Sequence, residues 1–210
     1  MASSEGQHFF PGNRPMTQQN FTKISSPAIV FCQDIELTDE AKQLLTRGLT
    51  AAQYLQLLIA DELHTDAVRF LARALPKRES TWWACLAARR RLQNNPHLNY
   101  WQALESAERW VYKPSEENRR LCMASAEAAG FDHPASWAAV AAFWSGDSLG
   151  PVDAPPLPPA NNLTGKAVSG AVMLAAVQTE PEKAGEKYRH FLGQGIDIAC
   201  GGDGRSASAP

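Results

Sequence analysis

The residues best equipped for chemistry in this chain are few and poorly assembled. Asp61-Glu62-Leu63-His64 offers two carboxylates and an imidazole, the raw material of general acid–base catalysis. It is not H-E-x-x-H, in which two histidines share one helix face around a metal. The position reads as a helix end, where capping and compensation of the helix dipole by His64 account for the charges. Ser136, Ser145 and Ser148 lie near Asp132, His133 and Asp147 in sequence. A hydrolase nucleophile needs a strained elbow such as G-x-S-x-G, and Gly146-Asp147-Ser148-Leu149-Gly150 lacks that spacing. These serines read as turn chemistry. Gly201-Gly202-Asp203-Gly204 follows a helical pattern instead of a strand, so it fails the context of a phosphate loop and reads as a terminator.

Metal chemistry finds no better footing. Cys32, Cys85, Cys122 and Cys200 are scattered, as are His8, His64, His97, His133 and His190, with no short-spaced pair of the kind zinc requires. Cys85 and Cys122 fall in apolar helical runs and read as buried small hydrophobes. Four free thiols in a reducing compartment are the expectation. No catalytic residue, cofactor site or metal site is therefore assigned.

Arg89-Arg90-Arg91 is the dense basic run. Consecutive helical residues splay by about 100°, so the three do not form one patch; one is expected to pair with Glu105 or Glu108. The six tryptophans carry more information: Trp82, Trp83, Trp101, Trp110, Trp137 and Trp144. Adjacent Trp82 and Trp83 cannot both point into one interface, so one of them belongs to a groove, a second interface or the surface. Tryptophan is enriched at interaction hot spots. Trp82, Trp83, Arg90 and Trp144 are the candidate partner-binding residues, with Trp144 placed to stack on the prolines that follow it.

Those residues need a scaffold, and the patterning supplies helices. The chain has 210 residues, 44% hydrophobic and 20% charged, enough to bury a core without staples. The net charge of −2 lacks the basic excess of a nucleic-acid binder. No apolar run reaches the roughly 20 residues of a membrane span, and no secretory leader is visible, so a soluble cytoplasmic protein is expected. Residues 1–25 read as a disordered arm bearing His8-Phe9-Phe10 and Phe21, 26–200 as the helical domain and 201–210 as a flexible tail. Within the domain, helix starts are expected at Ser26-Pro27, Thr38, Thr50, near Thr65, at Lys77, Leu98, Ser115, His133-Pro134, Thr164 and Pro181. Gly48 and Gly130 are expected C-caps. Pro151, Pro155, Pro156, Pro158 and Pro159 exclude helix from the 150–159 stretch. The expected fold is all-α: one irregular domain of about nine helices, partly stacked in hairpins, with an extended proline-rich crossing segment. The 164–177 helix, apolar on nearly all sides, should be central.

The runs Asp66-Ala67-Val68-Arg69-Phe70-Leu71-Ala72, Trp82-Trp83-Ala84-Cys85-Leu86, Ala142-Phe143-Trp144-Ser145-Gly146, Ala167-Val168-Ser169-Gly170-Ala171-Val172 and Phe191-Leu192-Gly193-Gln194-Gly195-Ile196-Asp197-Ile198-Ala199 resemble those of an uncharacterised bacterial all-helical family. The resemblance covers roughly residues 27 to 200. It associates the chain with type VI secretion gene neighbourhoods and implies a bacterial cytoplasmic protein accessory to effector loading. It carries no catalytic residues across. The reading that follows is a non-enzymatic protein–protein interaction module, an adaptor or chaperone. Its partner would be another protein, a secreted effector or a component of the secretion apparatus, with no nucleic acid and no membrane insertion. An enzyme of unrecognised class and an immunity-type inhibitor of a toxin are the alternatives.

Overall fold

Where a side-chain oxygen precedes an apolar run, a helix begins. Thr38 accepts from the amide of Ala41 at the head of its helix, and Ser115 from that of Asn118. Thr50 and Gln53 form a reciprocal capping box. His133 uses ring Nδ1 to accept from the amide of Ala135, and Pro134 takes the first helical position. A computed structural model describes residues 20–93 and 97–205. Among these it contains ten α-helices: α1 Ala28–Cys32, α2 Asp39–Leu44, α3 Ala51–Ala60, α4 His64–Ala74, α5 Lys77–Leu92, α6 Leu98–Tyr112, α7 Glu116–Ala129, α8 Pro134–Trp144, α9 Leu163–Val177 and α10 Ala184–Ala199. A 3-10 turn, Pro181–Lys183, leads into α10. The β-structure among the described residues is one isolated antiparallel bridge between Pro27 and Thr50. The protein is all-α.

The middle of the molecule is made of alanine. Ala135, Ala138, Ala139, Ala141 and Ala142 of α8 have no exposed area, and α8 packs against α5, α6, α7 and α9. Small side chains let these axes approach, and most of α8 is covered, with Trp137, Phe143 and Trp144 partly exposed. The expected central helix, α9, shares this role, packing on α4, α5, α8 and α10. Hairpins are visible in the polar cross-links. Asn99 at the start of α6 donates to the carbonyl of Ala128 at the end of α7. Thr164 near the start of α9 donates to the Trp144 carbonyl ending α8, while Gln178, following α9, donates to the Asp132 carbonyl before α8. Both pairs are antiparallel.

Several local expectations change. Thr164 lies inside α9, with Asn162 at the cap position, because its hydroxyl is taken by Trp144 across the hairpin. His64 does not end a helix. The chain breaks at Asp61–Leu63, with Glu62 at φ +57°, and His64 opens α4. A cation is unfavourable there. The ring stacks on Tyr188 at 5.8 Å, and burial, then Arg189, lower its pKa. The proline-rich stretch contains no helix, but between 149 and 157 it is a closed loop instead of a strap. Leu149 donates to the Leu157 carbonyl at 2.8 Å, and Ser148 Oγ accepts from the amides of Gly150 and Leu157.

The packed chain also reaches beyond both boundaries drawn at 26 and 200. Phe21 and Ile24 are buried, and the amide of Lys23 donates to the Ala199 carbonyl. At the other end Gly204 is buried. Its amide donates to Asp197, and its carbonyl accepts from Gln194. Residues 20–25 and 201–205 are thus parts of the folded unit. His8, Phe9 and Phe10 lie outside the described residues, as do the rest of 1–19 and 206–210. Among the described residues no helix is long and apolar enough to cross a membrane.

Candidate functional site

The paired tryptophans divide as their rotation about the helix requires. Trp83 points inward with no exposed area, and its Nε1–H donates to the Phe191 carbonyl of α10 at 2.7 Å. Burying roughly 200 Å² of ring is worth on the order of 5 kcal/mol before entropy. Trp83 is therefore a core residue, and its assignment to a partner surface is withdrawn because nothing can reach it. Trp82 is partly exposed and forms the floor of a slot.

Three elements build that slot. Arg78 and Trp82, four residues apart, share one face of α5. Val111 and Tyr112 come from the end of α6. Asp203 and Arg205 come from the turn after α10. The Trp82 Nε1–H donates to the Asp203 carbonyl at 2.7 Å. The Trp82 and Tyr112 rings lie 6.2 Å apart at 59°. The Arg205 guanidinium carbon sits 5.1 Å from the Trp82 ring centroid, a cation–π contact, and its Nη2 reaches the Tyr112 hydroxyl at 3.3 Å. Arg78 Nε donates to the Val111 carbonyl, satisfying one of the free carbonyls at the end of α6. These six residues line an open cleft of about 330 Å³. Tyr112 is 66% exposed at its mouth.

Arg90 and Trp144, the other two expected contact residues, are not in the slot. Arg90 lies two turns further along α5, facing α10, with its Nη1 3.4 Å from Nε2 of His190. Trp144 ends α8, half-buried, where its carbonyl receives Thr164. Of the basic run, Arg89 makes the expected ion pair, a two-point contact with Glu108. The slot residues not foreseen are Arg78, Val111, Tyr112, Asp203 and Arg205. The spacing of Arg78 and Trp82 was a usable signal; Asp203 and Arg205 had none, because a glycine-rich polar end reads as a tail.

A second cluster lies near the starts of α6 and α8. The rings of His97, Tyr100 and His133 stack in series, at 4.5 Å and 4.2 Å between centroids. His133 is 2% exposed. Burial first, then repulsion from Arg91, lowers its pKa to about 4. Because Nδ1 accepts the Ala135 amide, the neutral ring carries its proton on Nε2, and that N–H has no partner among the described residues. This histidine caps a helix; it is not placed to exchange protons with a substrate. The hydroxyls of Ser145 and Ser148 are bound to backbone. Among the described residues no three His, Cys, Asp or Glu side chains could hold a metal ion together. Two other clefts offer less convergent chemistry. One of about 350 Å³ is lined by Lys23, Arg73 and Lys77, but Lys23 pairs with Glu79 and Arg73 with Asp34. The other, about 580 Å³, lies between residues 20–27 and 48–56 and carries no charged side chain.

Fold and slot together describe a small all-helical domain with an aromatic, arginine-flanked slot on its surface. A family model described as "Family of unknown function (DUF6931)" matches residues 54–199, and the chain belongs to that family. No curated protein and no solved structure matches the sequence. The matched region contains Arg78, Trp82 and Tyr112 and stops before Asp203 and Arg205.

Proposed function

We propose that this protein is a non-enzymatic protein-interaction module, an adaptor or chaperone accessory to bacterial type VI secretion, acting in the cytoplasm, and that the Trp82–Tyr112 slot is where its partner docks. The observation that carries the reading is the exposure of Tyr112 beside Trp82 and Arg205. A large ring stands at the mouth of a concave site, placed there by the end of α6 and by its hydroxyl, which accepts from Arg205; tyrosine, tryptophan and arginine supply most contact energy in protein interfaces. The secretion context is supported by the family resemblance of the runs around Trp82-Trp83 and Phe143-Trp144.

The test is capture from a bacterium that encodes the protein alongside type VI genes. Wild-type chain should recover an effector or an apparatus component. Tyr112→Ala should recover at least about tenfold less, the loss of one central hot spot, with an unchanged helical circular dichroism spectrum. Equal recovery by the variant would remove the slot from the proposal.

A further inference from the structure

We infer that the slot selects an acidic segment, a short stretch of partner chain with an aspartate or glutamate carboxylate beside an apolar side chain. This rests on the slot being the docking site and names the chemistry it takes. Two guanidinium groups stand on it. Arg78 spends Nε on the Val111 carbonyl, and its two Nη groups have no hydrogen-bond partner among the described residues. Arg205 gives one Nη2 hydrogen to the Tyr112 hydroxyl and sits over the Trp82 ring, which leaves Nε, Nη1 and the second Nη2 hydrogen unpaired among the described residues, so one two-point edge stays open.

A guanidinium stacked on an aromatic ring keeps its planar fork of donors at the edge, the geometry that receives a carboxylate by two parallel bonds. The one acid among the described lining residues, Asp203, is turned to its own backbone: Oδ1 accepts the amide of Arg205. With two arginines and one aspartate the slot keeps a net positive charge in a protein whose overall charge is −2. Trp82, Val111 and the Tyr112 ring supply the apolar wall. The slot therefore pairs a carboxylate edge with a hydrophobic floor.

The probe is a fluorescein-labelled Gly-Leu-Glu-Phe-Glu-Leu-Gly peptide, with Gly-Leu-Gln-Phe-Gln-Leu-Gly as its neutral twin, titrated against the full chain by fluorescence polarisation. The acidic peptide should bind at least about tenfold more tightly than the neutral one, and the advantage should shrink with salt. Arg205→Gln and Arg78→Gln should each weaken it about five- to tenfold, and Arg205→Glu should abolish it. Arg78 also caps α6, so Arg78→Gln is read only where its melting temperature is unchanged. Arg205 is exposed, and its variants carry the test regardless. Equal binding of the two peptides, no binding of either, or indifference to Arg205→Glu overturns the inference. Tyr112→Ala abolishing partner capture while both peptides bind alike would sink acid selectivity and leave the docking site standing. Acid-selective binding lost in Arg205→Glu, with capture unaffected by Tyr112→Ala, would leave the selectivity and sink the partner assignment.

Discussion

Gly195 of α10 lies against the indole of Trp83. A β-carbon built there would stand 3.0 Å from Cε2 of the ring and 2.6 Å from Cδ2 of Leu71. Trp83 and Leu71 are both fully buried, so neither has space to give. Gly195→Ala gains about 1 kcal/mol of helix propensity but overpacks the contact at about 1–3 kcal/mol. Overpacking should win, with a net loss of up to about 2 kcal/mol by urea unfolding. Trp83→Ala should cost about 3–5 kcal/mol, so any loss of partner binding in that variant should track lost fold. A Trp83→Ala protein of wild-type stability would overturn the core assignment.

Arg119 is the polar counterpart of that apolar lock. It is 3% exposed and donates to Phe143 O, to Ser148 O and, through a two-point ion pair, to Glu116. Its guanidinium also lies over the Phe143 ring at 4.8 Å. One side chain thus ties α7 to the end of α8 and to the base of the proline loop. Arg119→Met should cost about 2–4 kcal/mol and should open 145–157 to protease, because two carbonyls lose their donor together. Arg119→Lys should fall between, since one ammonium cannot reproduce the fork. The bonds from Arg119 hold the Glu116 pKa below the usual carboxylate range. That stabilisation is present above the unfolded carboxylate pKa and is lost as pH falls through the folded one. The acid limb of the stability profile should therefore flatten in Arg119→Met.

The helix starts were legible because their cause is local. Thr38, Thr50, Ser115 and His133 each stand directly before an apolar-periodic run and find their acceptor role within three residues. Thr164 looks the same in sequence, yet its hydroxyl serves Trp144, twenty residues back and across a hairpin. A local reading has no access to that partner. The division of Trp82 from Trp83 followed from helical rotation; which ring turned inward did not. That was decided by the Phe191 carbonyl and Gly195, more than a hundred residues away. Arg205 was hidden for the same reason. The residues that bind its turn down, Gln194 and Asp197, lie on α10 and give no sign in sequence of facing it.

His133 makes stability depend on pH. Its folded pKa, about 4, lies below the ordinary 6.5, so the unfolded chain binds more protons between those values. The contribution is intact above about pH 6.5, falls through that window and is fully lost near pH 4, at most about 3 kcal/mol. The structural reason is plain. A proton on Nδ1 would abolish the cap to Ala135, and the charge would face Arg91 and His97, offset only by Asp132. His133→Asn keeps a capping acceptor without a titrating ring. Urea unfolding should give a smaller loss between pH 6.5 and 4 for that variant than for wild type. His64 and His190, whose pKa values are also lowered, are common to both proteins and cancel in the difference. Parallel profiles would remove His133 as the source.

Gly204 controls the slot from a distance. It sits at φ +73°, where a side chain is strained, and its β-carbon would lie 2.7 Å from Cδ1 of Leu86 and 3.0 Å from Cδ1 of Ile198. Gly204→Ala should therefore lift the 201–205 turn off α5 and α10. The turn carries the carbonyl that receives the Trp82 indole and the guanidinium that covers it. Its release should wet Trp82 while leaving the alanine-built centre intact. The measurement is the Trp82 emission, isolated by subtracting the spectrum of a matched Trp82→Phe protein in each background. It should shift to the red in Gly204→Ala, with global stability falling by about 1–3 kcal/mol as a strained, overpacked glycine site predicts. Binding of the acidic peptide should fall with it, because Arg205 leaves the slot on the same turn. An unshifted Trp82 spectrum in Gly204→Ala would mean that the turn does not hold the slot together.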